Sequence, residues 1–188
     1  MSQNKPKRTR PRRLPGDWDG QDLIERIIRV DHAGEFGAVR IYEGQLAVLR
    51  GTAAGDKIQE MADAEQRHLD RFDQLLVERR VRPTILSPLW HVAGYALGAA
   101  TAAMGAKAAM ACTVAVEEVI DTHYREQGER LDEREAELKA IIEEFRQDEL
   151  EHRDTALAEG AADAPGYELL TGFIKAGSRA AIWLSTRL

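Results

Sequence analysis

The sequence predicts an all-α protein, a bundle of four long helices with an additional helix at the C-terminus. Three observations predict it. Ala, Glu, Arg and Leu, all good helix formers, are abundant among the 188 residues, whereas aromatic residues make up 6% and there are 6 prolines. No stretch alternates apolar and polar residues with period two, and no glycine-rich phosphate loop follows a strand, which removes dinucleotide-binding and P-loop folds. Apolar residues recur instead at helical spacing over runs of about 25 residues.

Taken in order, the first helix is expected from about Asp22, its N-cap, to Arg50, with Gly51 as its stop. The second starts near Thr52 and ends before Pro83; the third follows Pro88 and continues to about Gly128; the fourth covers about Asp132 to Glu159. Gly160 to Pro165 breaks the pattern before a last helix over about Gly166 to Arg187. Within the third, Val92 to Ala106 holds 15 residues without a charged or strongly polar side chain. That is short of the roughly 20 needed to cross a bilayer. Two readings stand: a helix buried in the bundle by small residues, or one lying at a membrane surface. Trp90 and Tyr95 favour the second, as do Leu169, Leu170, Phe173, Ile174, Ile182, Trp183 and Leu184 of the last helix, with Lys175, Arg179 and Arg187 placed for headgroups.

Composition bounds the rest. Apolar residues at 44% and charged residues at 31% fit one folded domain. A lone cysteine, Cys112, excludes an internal disulfide, a zinc ribbon and an iron–sulfur centre, and fits a reducing compartment. The formal net charge is −6, yet Lys5, Lys7, Arg8, Arg10, Arg12 and Arg13 crowd the first 15 residues. Residues 1–20 therefore read as a basic arm and 21–188 as the domain. The arm suits a solvated tail, or a segment reaching anionic lipid at about 1 kcal/mol per cation. The acidic body argues against nucleic acid. No apolar stretch follows the arm as in a secretory signal, while a short transit peptide stays open.

Chemistry concentrates at six positions. The second helix carries Glu65 and His68, the fourth Glu149 and His152, and residues three apart share one helix face. Phase makes the pattern specific. Ala54, Ile58, Met61, Glu65, His68, Phe72 and Leu75 form one stripe, and Leu138, Ile142, Phe145, Glu149, His152 and Ala156 another. In the first helix Ile24, Ile28, Asp31, Glu35, Ala38, Tyr42 and Leu49 turn Glu35 inward; in the third, Met110, Val114, Glu117, Asp121 and Tyr124 turn Glu117 inward and Glu118 away. Ionised carboxylates in a core cost several kcal/mol unless something compensates. Each hairpin thus offers a lone Glu and a Glu-x-x-His, the ligand set of a carboxylate-bridged di-iron or di-manganese site. Four carboxylates nearly neutralise two divalent cations, and the absence of thiolates disfavours zinc and copper(I). Asp148 is placed to fix the tautomer of a ligating histidine. Cys112 reads as a small buried residue, and His32 as a satisfied structural histidine.

Several stretches resemble the demethoxyubiquinone hydroxylase family of ubiquinone biosynthesis, a branch of the ferritin-like proteins. They are Arg29–Glu35, Val81–Thr84 with Pro88–Trp90, Ala109–Glu118 and Ala180–Ser185, and the likeness covers about residues 22–188. The resemblance implies a ferritin-like bundle with an apolar membrane-associating surface. Carried over by position, the family's iron ligands fall on Glu35, Glu65, His68, Glu117, Glu149 and His152, holding two iron ions per chain. The implied reaction is a monooxygenation of a polyprenylated demethoxyubiquinol ring, with dioxygen and NADH as co-substrates. Tyr42 and Tyr124 are then candidates to bond the quinone or relay an electron, or ordinary core tyrosines; Arg26, Arg179 and Arg187 are candidates for the NADH pyrophosphate, or lipid-facing cations. Expected partners are the membrane-embedded quinol, the membrane surface, other proteins of the pathway and a second copy of the chain, with no nucleic acid. The expected location is the cytoplasmic face of the bacterial inner membrane, the matrix side of the mitochondrial one being the alternative. Two rivals share these residues: a ferroxidase or peroxide-handling bundle, which needs no apolar surface, and a membrane-associated scaffold, which needs no Glu149.

Overall fold

The computed structural model describes residues 20–188, so the expected basic arm lies almost wholly outside the described residues. Six helices follow one another: α1 (Gly20–Leu49), α2 (Ala53–Arg79), α3 (Ser87–Ala103), α4 (Ala106–Arg130), α5 (Ala136–Ala158) and α6 (Tyr167–Ser185), with single 3₁₀ turns at Glu133–Glu135 and Ala161–Asp163. The all-α expectation holds. Helices α1, α2, α4 and α5 form the bundle, α1 packing on α2 and α4 on α5; α3 lies on α1 and α6 on α4.

Local chemistry explains the ends. Thr52 caps α2 by accepting a hydrogen bond from Gly55 N at 3.0 Å. Arg80 closes α2 in the left-handed region (φ 56°), and Val81 N donates back to Leu76 O at 2.9 Å. Pro88 sits in the first turn of α3, where no donor is needed. Asp22 is not the cap expected of it: α1 already starts at Gly20, which leaves Asp22 in the first turn, where an acid favours the helix dipole.

The larger difference is in the third segment. A single helix over Pro88–Gly128 was the expectation; the chain instead breaks at Met104–Gly105, where Gly105 takes φ 117°, a conformation that side-chain-bearing residues rarely adopt. The break lets α3 leave the bundle and lie along the outside of α1. Glycines permit the approach, since a Cβ on Gly98 would stand 1.9 Å from Ile41 O and one on Gly44 2.2 Å from Tyr95 O. Gly94, Gly98, Thr101 and Ala102 are buried, while Leu89, Val92, Tyr95 and Met104 are exposed. The helix is therefore not buried inside the bundle: its small residues pack on the outside of α1, and its other face is exposed and apolar. Helix α6 behaves alike, burying Ile174 and exposing Leu169, Phe173 and Trp183. Its Ser185 accepts a hydrogen bond from Trp90 Nε1 at 3.0 Å, which ties α6 to α3.

Two apolar clusters fill the bundle. One gathers Ile28, Phe72, Leu75, Tyr124, Ile142 and Phe145, the other Tyr42, Ile58, Met61, Met110, Val114 and Ala156. On every bundle helix the inward acidic and histidine positions fall between them.

Candidate metal centre

Each bundle helix delivers its polar residues to one level. Glu35 comes from α1, Glu65 and His68 from α2, Glu117 from α4, Glu149 and His152 from α5, and none exceeds 7% exposure. Their ligand atoms fall into two sets, Glu35–Glu65–His68–Glu149 and Glu65–Glu117–Glu149–His152, each within 4.8 Å. Glu65 and Glu149 belong to both sets, so two cations held here would share these carboxylates, with Glu35 and His68 as terminal groups on one side and Glu117 and His152 on the other. The expected six residues are brought together, and Glu118 turns outward to pair with Lys175 Nζ at 2.5 Å.

The fit to metal ions can be judged from the polar atoms. His152 Nδ1 lies 2.9 Å from Glu65 Oε1 and 3.3 Å from Glu149 Oε2; His68 Nδ1 lies 3.4 Å from Glu149 Oε1 and 3.6 Å from Glu35 Oε2. None of these approaches has hydrogen-bond alignment. Both oxygens of Glu65 and Glu149, one each of Glu35 and Glu117, and both Nδ1 atoms are buried without a hydrogen-bond partner. So many orphaned lone pairs aimed at one interior point suit cations, and hard-to-borderline oxygen and nitrogen donors suit iron or manganese.

Electrostatics agree. Burial pushes Glu65 and Glu117 well above the usual carboxylate range, and the Glu149 charge adds to it. Burial also acts on Glu149, but the His152 and His68 imidazoles facing it outweigh burial and hold this carboxyl at about 2. The histidines are pulled down by burial, yet the carboxylates around them raise His68 to about 11 and His152 to about 10. Protons thus occupy the histidines where cations would otherwise balance the charge.

Around this core the arrangement is nearly twofold. Tyr42 OH donates to Glu117 Oε1 at 3.1 Å, and Tyr124 OH donates to Glu35 Oε1. Each terminal carboxylate is therefore oriented by the tyrosine seven residues beyond its counterpart. Burial, and then the neighbouring carboxylate, lifts both phenols well above their usual range, so both remain neutral donors. Asp148 Oδ2 lies 2.9 Å from His68 Nε2, the contact expected to set that tautomer. Phe145 stacks on the His68 ring at 3.9 Å. His32 pairs with Asp73 at 3.0 Å and Cys112 is buried, the structural parts expected of them.

The three candidate arginines fall on the first and last helices and just beyond the last. Arg26 is on α1, Arg179 is exposed on α6, and Arg187 stacks over Trp183 at 4.1 Å while donating to its carbonyl at 2.8 Å. Sequence reading missed a cavity of about 300 Å³ bounded by α1, α3, α4 and α6, with Gly34, Gly37, Trp90, Leu97, Ile120 and Ile182 in its wall. It also missed the part of His123, which meets Asp31 inside the bundle at 3.3 Å. Asp31 standing inward in an apolar stripe was the available signal.

The comparisons with known proteins point the same way. The family model described as ubiquinone biosynthesis protein COQ7 matches residues 22–185. The chain is 56% identical over 183 residues to the 3-demethoxyubiquinol 3-hydroxylase of Rhodospirillum rubrum, covering 97% of this chain and 86% of that one. It is 56% identical over 171 residues to a mitochondrial NADPH-dependent 3-demethoxyubiquinone 3-hydroxylase of Dictyostelium discoideum (89% and 79% covered). To the Homo sapiens protein of that same name it is 54% identical over 169 residues (88% and 78% covered). A match over nearly the whole described bundle, at this identity, leaves one assignment: the chain belongs to the COQ7 family of ubiquinone biosynthesis proteins.

Proposed function

We propose that this chain is a di-iron monooxygenase that hydroxylates the ring of a polyprenylated 3-demethoxyubiquinol; the names of its relatives support the hydroxylation, and the buried Glu/His sets support the metal pair. The observation that carries the reading is a two-cation donor set beside an apolar cavity. Gly34 and Ala38, either side of Glu35 on α1, and Val116, next to Glu117 on α4, are all in the cavity wall.

Bound iron would supply the binding and reduction of dioxygen. Glu65 and Glu149 would bridge, with Glu35 and His68 on one ion and Glu117 and His152 on the other. Tyr42 and Tyr124 keep those terminal carboxylates aimed inward, and Asp148 keeps Nδ1 of His68 free to ligate. The apolar cavity excludes water and seats the ring, and a Cβ on Gly34 or Gly37 would meet nothing within 4 Å, so their lack of a side chain is open room.

A prenylated substrate resides in lipid, and the exposed apolar residues of α3 and α6 offer a surface to reach it. No helix among the described residues is long and apolar enough to cross a membrane. We read the attachment as peripheral, at the cytoplasmic face of the bacterial inner membrane, with the exposed apolar residues of α3 and α6 toward lipid and lipid-facing positions as the alternative role of Arg179 and Arg187. Electrons come from a reduced nicotinamide nucleotide; the sequence reading favours NADH, the names of the eukaryotic relatives NADPH. Arg26, Arg179 and Arg187 are the cations proposed for its pyrophosphate.

The test is turnover of iron-loaded protein with a short-chain demethoxyquinol, either nucleotide and isotopically labelled dioxygen. The expected result is one labelled oxygen in the ring and two irons per chain, matching the two donor sets. Iron oxidation without ring hydroxylation would establish the ferroxidase instead. Full pathway function after Glu149→Ala would establish the scaffold.

A further inference from the structure

A bound metal pair explains the orphaned oxygens of the four glutamates but not those of Asp31. This carboxylate is 2% exposed, one turn before Glu35 on α1, and belongs to neither donor set. Its Oδ1 accepts from Gln127 Nε2 at 2.7 Å and lies 3.3 Å from His123 Nε2, while Oδ2 has no partner. Tyr124 and Glu35 are the other ionisable groups that act on it, from α4 and from its own helix. Burial pushes its carboxyl up, against the pull of His123.

Internal symmetry shows that packing does not demand this group. Glu35 and Tyr42 superpose in sequence on Glu117 and Tyr124, 82 positions later, and Gln45 falls on Gln127 in the same way. At that offset Thr113 stands for Asp31 and Ile41 for His123. One half of the bundle fills this level without charge; the other spends a buried carboxylate and a histidine whose side chain is 20% exposed.

The pair can take two proton states, the second with the Gln127 amide turned so that its Nε2–H no longer faces His123. Gln127 Nε2 has two hydrogens, one for Asp31 and one for His123 Nε2, 2.8 Å away. When His123 instead carries a proton on Nε2, Asp31 Oδ1 is there to accept it. From Asp31 the next carboxylate inward is Glu35, four residues on, a helical spacing of roughly 6 Å between Cβ atoms that one water spans.

Hydroxylation creates the need. A reduced nicotinamide delivers a hydride, that is two electrons and one proton. One oxygen atom enters the ring C–H bond as C–OH and the other leaves as water, so each turnover consumes one more proton from solvent. The cavity beside the centre is apolar and cannot conduct it. We propose that His123 takes this proton from bulk water and passes it to Asp31, which delivers it to the Glu35 side of the centre. The inference rests on the hydroxylase reading above.

Asp31→Asn keeps shape and an acceptor but cannot carry the proton; His123→Ala opens a partly exposed hole that free imidazole can enter. In iron-loaded protein both substitutions are expected to lower kcat by about 10-fold or more, raise the solvent deuterium isotope effect and leave KM and iron content unchanged. Imidazole restores His123→Ala. In metal-free protein, nitrogen NMR of the imidazoles shows the His123 signals shifted by Asp31→Asn, independent of turnover. Unshifted signals, or kcat at the wild-type value in both variants, overturn the relay alone. If Asp31→Asn fails to fold, imidazole rescue decides: restored turnover supports the relay and no restoration overturns it. Wild-type protein that binds iron and does not hydroxylate overturns the hydroxylase reading, and the relay with it.

Discussion

A single methyl group at Gly98 measures how much the departure of α3 from the bundle depends on glycine. In the native structure the added Cβ would stand 1.9 Å from the carbonyl oxygen of Ile41 and 2.8 Å from its carbon. Ordinary contact begins near 3.4 Å, so α3 has to back away from α1 by about 1.5 Å, and the obstacle is main chain with no rotamer to yield. Overpacking of this kind costs about 1–3 kcal/mol, and rigid backbone places it in the upper part of that range. Alanine returns about 1 kcal/mol of helix propensity, which leaves a net loss of roughly 1–2 kcal/mol. For a chain of this size each kcal/mol moves Tm by about 2–4 °C, so Gly98→Ala should melt about 2–8 °C below wild type. Gly37→Ala is the internal control: its Cβ meets nothing within 4 Å, and it should raise Tm slightly. Thermal unfolding followed by circular dichroism reads both. A Gly98→Ala protein at or above the wild-type Tm would refute the close packing of α1 on α3.

The remaining expectations concern the carboxylate centre. Glu149→Gln removes a residue common to both donor sets and should abolish binding of both ions, whereas Glu117→Gln touches one set and should leave about half the metal by elemental analysis. Asp148→Ala loses the acceptor at His68 Nε2 and should weaken metal affinity about 10–100-fold in a competition titration, with the fold intact. The pH dependence of the metal-free protein follows from its histidines, raised to about 11 and 10 by the carboxylates around them despite burial. Their protonated forms stabilise the fold fully below about pH 6.5, the unfolded value, and that stabilisation is lost as pH rises through about 10–11. Glu149, held at about 2, contributes in the opposite window: its stabilisation is present above the unfolded carboxylate value and lost as pH falls toward 2. Tm of metal-free protein should therefore fall between pH 6.5 and 10, and metal-loaded protein should fall much less. Equal slopes would show that protons do not occupy the centre in place of metal.

Much of the centre was legible in one dimension because helical phase is a local property. Once Ile58, Met61, Phe72 and Leu75 mark the inner face of α2, Glu65 and His68 have to share it, and the same holds for α5. The choice of Glu117 over Glu118 rested on nothing more; of the two, Glu117 is the buried one and Glu118 pairs outward with Lys175. The break in the third segment was hidden because Ala and Gly at 102–106 satisfy a continuous helix as well as a broken one; only the positive φ at Gly105 separates them. His123 was hidden for another reason. It lies beside the Tyr124 stripe rather than on it, and its partner is 92 positions away on another helix.

Sequence alone therefore determined the all-helical class, the two hairpins and the identity of six inward glutamates and histidines, since each follows from the period of a single helix. Tertiary structure decided which carboxylates are shared, which tyrosine serves which glutamate, and that α3 and α6 stand outside the bundle around an apolar cavity. Those facts depend on the relative rotation and spacing of separate helices, which no local periodicity encodes.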